Sequence, residues 1–386
     1  MSVRGLVFYP HNFFSLTCGS HRRMLEITEY FKDRQVPVDL VSLNGFSSRD
    51  DRWDEDSLKR AESYFERVFI CDGRPTFWNR VKLRLPTAWI RSLFDFRTPA
   101  LTGTFKSVLK KNRYDFFLNS YVYWGNLADY MGNETRKIID MHDFITLNHH
   151  YWSGKKEFRM GRMLEQEIGA LDKHDYCLSI SEEESILLQS FCAHAKFVDL
   201  PMSYPVRFHA QESVSYDLVT VGSDNPFNRA GMRWFMEEVY PLLPPSVSIA
   251  VVGGIANRLE RRQNIRAVPY AENLDDIYHK AKIACCPVRS GTGLKVKVVE
   301  ALSYGKPVVT TTAGLSGILQ KEENGCMVAD DPRRFAQSIM SLLHDQNVYK
   351  TVTEQGKSFF LKKFTREACW PKLDSIISSI DVGHPQ

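Results

Sequence analysis

The chain has 386 residues, of which 43% are hydrophobic and 25% charged, and a formal net charge of +4. That length exceeds one ordinary hydrophobic core and suits two domains of under two hundred residues each, and the composition excludes disordered, collagenous and membrane-spanning classes. Its eight cysteines are scattered, with no Cys-x-x-Cys or Cys/His zinc spacing, and the opening Met-Ser-Val-Arg begins neither a signal peptide nor a transmembrane span, so reduced thiols and a cytoplasmic protein are expected.

Leu6 to Tyr9 predicts an apolar strand. The loop Pro10 to Gly19 leads to a helix from about Ser20, with Met24, Leu25, Ile27, Tyr30 and Phe31 at helical spacing. Val36 to Leu43 is the next strand, so the chain starts with a parallel βαβ unit. Asp50 to Arg67 is charged and predicts a helix, and Val68 to Cys71 a short strand. From Arg74 to Arg97 six basic residues (Arg74, Arg80, Lys82, Arg84, Arg91, Arg97) stand against one acid, Asp95, interleaved with Phe77, Trp78, Trp89, Phe94 and Phe96. Such a stretch describes either a surface at an anionic membrane or lipid-linked partner, or a pair of structural helices. Nucleic-acid binding is disfavoured because neither a stacking module nor a basic repeat accompanies it.

Tyr114 to Ser120 predicts a strand followed by an aromatic loop, Tyr121 to Trp124. Ile138 to Met141 predicts another, delivering His142 and Asp143 at its carboxyl end. His142 suits a hydrogen bond to a sugar hydroxyl or phosphate, and equally a core-edge histidine bonded to backbone. Asp143 suits orienting a hydroxyl or accepting its proton. The set Asp140, His142, Asp143, His149 and His150 fits no standard metal spacing. Phe158 to Leu171 predicts a helix, Tyr176 to Ile180 a strand, and Ser181 with Glu184 a capping box for a helix to Phe191. Phe197 to Leu200 closes the first half, and Pro201 to Ser215 is the predicted linker.

Asp217 to Gly222, Val247 to Gly253 and Ile265 to Val268 predict strands of the second half. The most informative stretch follows the buried-looking strand Ile283 to Cys286 and runs from Pro287 to Thr312: a Ser-Gly-Thr-Gly loop, an eleven-residue stretch of helical character, then the short strand Pro307 to Thr310. Strand, glycine loop, helix and strand make a parallel crossover, with the loop where open α/β sheets bind ligands. Gly291 and Gly293 let a ligand approach the amides from Thr292 onward, and those amides open a helix whose dipole favours an anion. Lys295 and Lys297 add cations where a helix start normally disfavours them, and Glu300 shares a face with Lys297 and suits a ribose diol. The combined pattern predicts a site for a diphosphate and a ribose; residue by residue it also fits a surface ion pair and a plain turn. Cys326 to Val328 predicts a strand and Pro332 to Leu343, Asn347 to Lys363 and the stretch after Pro371 helices.

Gly291-Thr292-Gly293-Leu294-Lys295-Val296-Lys297, then Glu300-Ala301-Leu302, then Gly305-Lys306-Pro307-Val308-Val309 resembles the nucleotide-sugar motif of GT4-type (group 1) glycosyltransferases of GT-B fold. The match covers most of the C-terminal half and is much weaker before it. Most of that family carries two glutamates eight positions apart; here Glu300 is the second and Thr292 holds the place of the first, a version that a subset of the family shares. The resemblance implies an α/β protein of two Rossmann-like, doubly wound domains facing a central cleft: an acceptor domain over 1–205, a nucleotide-sugar domain over 206–370, and a last helix, 371–386, crossing back to the first.

It further implies a retaining transfer from a nucleoside-diphosphate sugar, a UDP- or GDP-sugar, to a glycan or lipid-linked acceptor of bacterial polysaccharide or glycolipid synthesis, at the inner membrane face and with neither cofactor nor metal. His142 and Asp143 would then stand by the transferred sugar and Gly19 would offer helix amides. Arg229 falls where relatives carry a diphosphate lysine, while Ser223 replaces their arginine. Tyr270 would lie near the base, and Thr292, Gly293, Leu294, Lys295, Lys297 and Glu300 would hold the donor, with Arg229 and Lys297 assisting departure of the diphosphate. An epimerase or phosphorylase of the same fold, or a non-catalytic nucleotide-sugar module, is the alternative.

Overall fold

A computed structural model describes residues 3–46, 52–74, 94–153, 160–208 and 214–381. The chain divides into two compact units, Met1–Met202 with Trp370–Gln386, and Ser203–Cys369. The basic aromatic segment after Arg74 lies outside the described residues over 75–93. At its two ends Arg74 pairs with Asp72 at 2.7 Å and Arg97 with Asp95 at 2.8 Å.

The first unit is built on a wholly parallel seven-stranded sheet of order β3-β2-β1-β4-β5-β6-β7. Its strands are β1 (Gly5–Tyr9), β2 (Val38–Asn44), β3 (Arg67–Asp72), β4 (Phe116–Ser120), β5 (Arg136–Asp140), β6 (Tyr176–Ser179) and β7 (Lys196–Asp199). Central parallel strands are covered on both faces, which is why β1 and β4 are buried at every position. The connecting helices are α1 (Gly19–Asp33), α2 (Glu55–Glu62), α3 (Pro99–Lys111), α4 (Ile145–Ser153), α5 (Met160–Leu171) and α6 (Glu182–Gln189). Ser181 Oγ accepts from the Glu184 amide at 3.2 Å and caps α6, the local chemistry its sequence predicts.

Two local differences from the sequence reading have plain causes. The charged run to Arg67 is helical only over Glu55–Glu62, because Asp54 caps it late and Arg67 already belongs to β3. Helix α3 was not anticipated, although Thr98 caps it, Pro99 opens it, and Leu101, Phe105 and Val108 form its buried stripe.

The second unit has a parallel six-stranded sheet of order β10-β9-β8-β11-β12-β13. It comprises β8 (Tyr216–Val221), β9 (Ile249–Val252), β10 (Ile265–Val268), β11 (Ala281–Cys286), β12 (Val308–Thr310) and β13 (Cys326–Val328). Helices α7 (Pro226–Trp234), α8 (Asp275–His279), α9 (Val296–Ser303), α10 (Pro332–His344) and α11 (Gln346–Lys363) connect and flank them. Helix α9 has eight residues rather than eleven, since 291–295 remain loop. From Ser203 on, the described part of the expected linker belongs to this unit: the Tyr204 amide donates to Phe364 O and the Arg207 amide to Ser303 O, each at 2.8 Å.

The last helix, α12 (Arg366–Asp381), packs its later part on the first unit. Asp374 accepts from Tyr30 Oη and Arg34 Nε, each at 2.9 Å, and the Trp370 ring stands edge-on to Tyr30.

In each sheet the strand order reverses once, between β1 and β4 and between β8 and β11. The carboxyl ends at such a reversal splay apart and leave room for a ligand. In the second unit Gly231 keeps α7 close to that point, because a Cβ there would meet Pro287 O at 1.9 Å. Alanine in a helix normally stabilises it, but here contact decides the sign. Gly231→Ala is expected to destabilise the protein by about 1–3 kcal/mol, read as a lower urea midpoint.

Candidate functional site

In the second unit the loop after β11 is pinned from β12. Thr310 Oγ1 donates to Cys286 O at 2.7 Å, and Thr311 Oγ1 donates to Val288 O. Gly291 and Gly293 have φ of 113° and 68°, the left-handed region that side chains resist. Lys295 folds back over the loop, its Nζ donating to the carbonyls of Gly291, Thr292 and Gly293 at 3.1, 2.7 and 3.0 Å. It therefore braces the loop's carbonyl edge, whereas its sequence position suggested a mobile charge for an anion. Gly317 closes against the same loop, with φ of 87° and space for no Cβ, which would lie 2.7 Å from the Leu294 amide nitrogen.

Lys297, in the first turn of α9, is partly buried beside Cys285 and Cys286, and that desolvation lowers its pKa. Its Nζ donates to Asn228 Oδ1 of α7 at 2.5 Å, and Asn228 Nδ2 in turn donates to Ser223 O at 2.9 Å. Among the described residues no carboxylate pairs with Lys297. The positive end of α9 lies at the same place, so positive potential collects around the glycine loop. Glu300 is one turn further along α9, held by Tyr278 Oη at 3.4 Å, and the buried Tyr278 ring stacks on Tyr304 at 4.4 Å. Thr292, Gly293, Leu294, Lys295, Lys297 and Glu300 are thus gathered on one loop and one helix start.

Arg229 and Tyr270 sit differently. Arg229 Nε donates to Asp224 Oδ1 at 2.5 Å, and Arg258 holds the other oxygen of that carboxylate at 2.9 Å. These two arginines keep Asp224 down at about 2. Arg229 lines a groove with Met232, Arg233, Ile255 and Arg258, while its neighbour Asn228 reaches Lys297. One residue is a turn of roughly 100° on a helix, enough to send the two side chains apart. Tyr270 is 79% exposed on the loop after β10.

In the first unit Asp140 ends β5 fully buried. Arg23 of α1 donates from Nε to its two oxygens at 2.8 and 2.9 Å, and from Nη1 to Leu200 O at 2.6 Å. Burial pushes the Asp140 carboxyl up, but Arg23 and then His142 outweigh it and hold it below the usual range. His142 follows with φ of 61°, its ring stacked on Tyr121 at 4.1 Å and edge-on to Tyr9 at 6.2 Å. Its Nε2 lies 3.3 Å from Asp140 Oδ2 without a hydrogen-bonding angle. The Asp143 amide donates to Met141 O at 2.8 Å, closing a tight turn. Gly19 opens α1 with nothing within 4 Å of where a Cβ would stand. Cys18 precedes it, its thiol pushed up by partial burial but brought down to about 7 by hydrogen bonds from His21 and Ser20.

Asn228, Tyr278, the stacking of Tyr121 on His142 and the pairing of Asp140 with Arg23 escaped the sequence reading. Asn228 had one local signal, since Asn225 caps α7 and accepts its amide at 2.9 Å, but the arginine beside it offered the more obvious charge. Among the described residues no group of three His, Cys, Asp or Glu is placed to hold a metal ion, and no helix is long and apolar enough to cross a membrane.

Two doubly wound parallel units with these loop sites are the GT-B glycosyltransferase fold. The chain superposes on sucrose-phosphate synthase from Thermosynechococcus elongatus with a TM-score of 0.70 at 14% identity, covering 99% of this chain and 100% of that one. It superposes on Anabaena HepE in complex with UDP with a TM-score of 0.68 at 12% identity, covering 98% and 100%. Residues 215–345 match the family model described as glycosyl transferases group 1, so the chain carries a group 1 glycosyltransferase domain. A Klebsiella pneumoniae protein described as an uncharacterized 44.6 kDa protein in cps region is 23% identical over 181 residues, 43% of this chain. The chain spans about half the length of that curated relative, 47%.

Burial drives the His142 imidazole down to about 4, against the opposing pull of Asp140. The unfolded chain then binds more protons than the folded one between about pH 4 and 6.5, so this contribution to stability is complete above about 6.5 and is lost as pH falls through 4. His142→Gln is expected to flatten the fall in urea midpoint across that window, compared with the wild-type protein.

Proposed function

We propose that the chain is a glycosyltransferase that moves a sugar from a nucleoside-diphosphate sugar to a hydroxyl of a glycan or lipid-linked acceptor, with retention at the anomeric carbon. The observation that carries this is Lys297, a partly buried ammonium whose partner is a neutral carboxamide, at the start of a helix behind a glycine loop. A buried charge without a counter-charge is costly, and a diphosphate on the loop supplies one. Glu300, on the same helix, offers two acceptors to a ribose diol.

In this reading the bond from the anomeric carbon to the diphosphate breaks, the leaving diphosphate takes the electron pair, and the acceptor oxygen bonds to that carbon. Lys297, the loop amides and the α9 dipole stabilise the charge that grows on the leaving group. Asp143 receives or orients the acceptor proton, and neutral His142 serves a sugar hydroxyl. Arg229 contributes where Asp224 releases it, and Gly19 and Tyr270 take the lesser donor contacts. Two further Anabaena HepE structures are described as holding UDP and glucose, and UDP-glucose, which supports a UDP-sugar donor here. The cps-region relative supports an acceptor in bacterial polysaccharide synthesis. A cytoplasmic place with peripheral membrane contact through Arg74 to Arg97 rests on the composition of that stretch.

Lys297→Met is expected to leave thermal stability largely unchanged, since it removes a partly desolvated charge along with its bond to Asn228, while UDP affinity measured by calorimetry falls at least about tenfold. Glu300→Ala is expected to weaken UDP binding by about 1.5–3 kcal/mol through the lost ribose hydrogen bonds. A panel of nucleotide sugars with product analysis separates the classes. Sugar released to water or to an added acceptor supports transfer, sugar altered but still nucleotide-linked means an epimerase, and neither binding nor turnover of any donor overturns the reading.

A further inference from the structure

The turn that carries His142 and Asp143 is held from a different helix. Glu167, on α5, is completely buried among the core side chains Met163, Ala170 and Leu171. Its Oε1 accepts from the Ile145 amide and its Oε2 from the Thr146 amide, each at 2.8 Å. Those amides open α4 and have no partner inside it. A helix start is ordinarily capped by a local Ser, Thr, Asp or Asn, but the residue before Ile145 is Phe144, whose ring accepts nothing. The carboxylate of α5 takes that place.

Packing alone does not call for a carboxylate there. A leucine would fill an apolar site between α4 and α5 with no polar group to strip of water, whereas burial pushes Glu167 up to about 7. Hydrogen bonds from Thr146 and Ile145 oppose that rise, and the charge of Asp143 adds to it, which places Asp143 within electrostatic reach. What the carboxylate does secure is the exit of a strained turn. His142 is in the left-handed region, a conformation that persists only where its surroundings over-determine it. Arg23, Asp140 and the Tyr121 stack hold the turn on its entry side, and the two amide bonds to Glu167 hold it three residues on.

We propose that Glu167 is a positioning residue: its carboxylate clamps the start of α4 and thereby sets the placement of His142 and Asp143. This rests on the reading above that those two residues serve the transferred sugar and its acceptor. Glu167 touches neither substrate; it acts through the backbone of residues 141–146. Glu167→Leu keeps the volume and removes both amide bonds, and Glu167→Gln keeps one acceptor and turns an NH2 group on the other amide.

The histidine-ring NMR spectrum reads the stack of His142 on Tyr121 without any substrate. In both variants the His142 resonance, assigned by its loss in His142→Ala, is expected to move out of its ring-current position while that of His279, in the second unit, stays. An unmoved His142 resonance in the folded variants overturns the proposal. Turnover of UDP-glucose supplies the second readout: kcat is expected to fall more than tenfold with KM for the donor within twofold. Wild-type kcat in a stably folded Glu167→Leu protein, alongside an inactive His142→Ala, also overturns it. If His142→Ala keeps wild-type turnover while the Glu167 variants displace the resonance, the clamp stands and the assignment of His142 to the reaction falls.

Discussion

The ammonium of Lys297 is drawn partly out of water with a neutral amide for a partner, and much of the second unit can be understood as what keeps it there. Removing an ion from water costs on the order of several kcal/mol, so the fold must hold this side chain in place. Strand β11 supplies the wall through Cys285 and Cys286, α7 supplies Asn228, and Gly231 permits α7 to come close enough for that bond. Lys295 gathers the carbonyls of the loop onto itself. The result sets a cation and a helix start side by side at the reversal of strand order, which is where sheet geometry leaves space.

The first unit solves a different electrostatic problem. At its strand ends the charges are already neutralised internally: Arg23 and Asp140 satisfy each other, and His142 is kept neutral by burial. What this unit presents is geometry, a left-handed histidine stacked on Tyr121 and an adjoining aspartate whose turn is braced at both ends. In the proposed transfer, substrate charge falls to one unit and proton and hydroxyl chemistry to the other, a division that suits a reaction whose leaving group is anionic and whose nucleophile is neutral.

Sequence patterns were informative where the deciding physics is local. The alternating strands and helices, the Ser181 cap and the glycine loop all depend on neighbours within a turn or a strand, and these signals carried into the fold. Helix α3 belongs to the same category, and its Thr98-Pro99 start was readable but overshadowed by the basic stretch before it. Lys297 and Glu300 were singled out because α9 places them one turn apart. By contrast Asp140, which carries a fully buried ion pair in the first unit, was weighed only within a candidate metal set, because its partner Arg23 is more than a hundred positions away.

The sequence by itself determined that two parallel α/β units exist and that a glycine loop leads into a helix start, since backbone freedom, side-chain periodicity and helix polarity are written locally. Only the tertiary structure decided where each cation goes: Lys295 turns back on its own loop, Lys297 goes inward to Asn228, and Arg229 is drawn off by Asp224. The same holds for Glu167, whose carboxylate reaches amides more than twenty positions earlier. Those outcomes depend on which groups from distant segments arrive within hydrogen-bond distance, and chain order does not encode that distance until the strands and helices have packed.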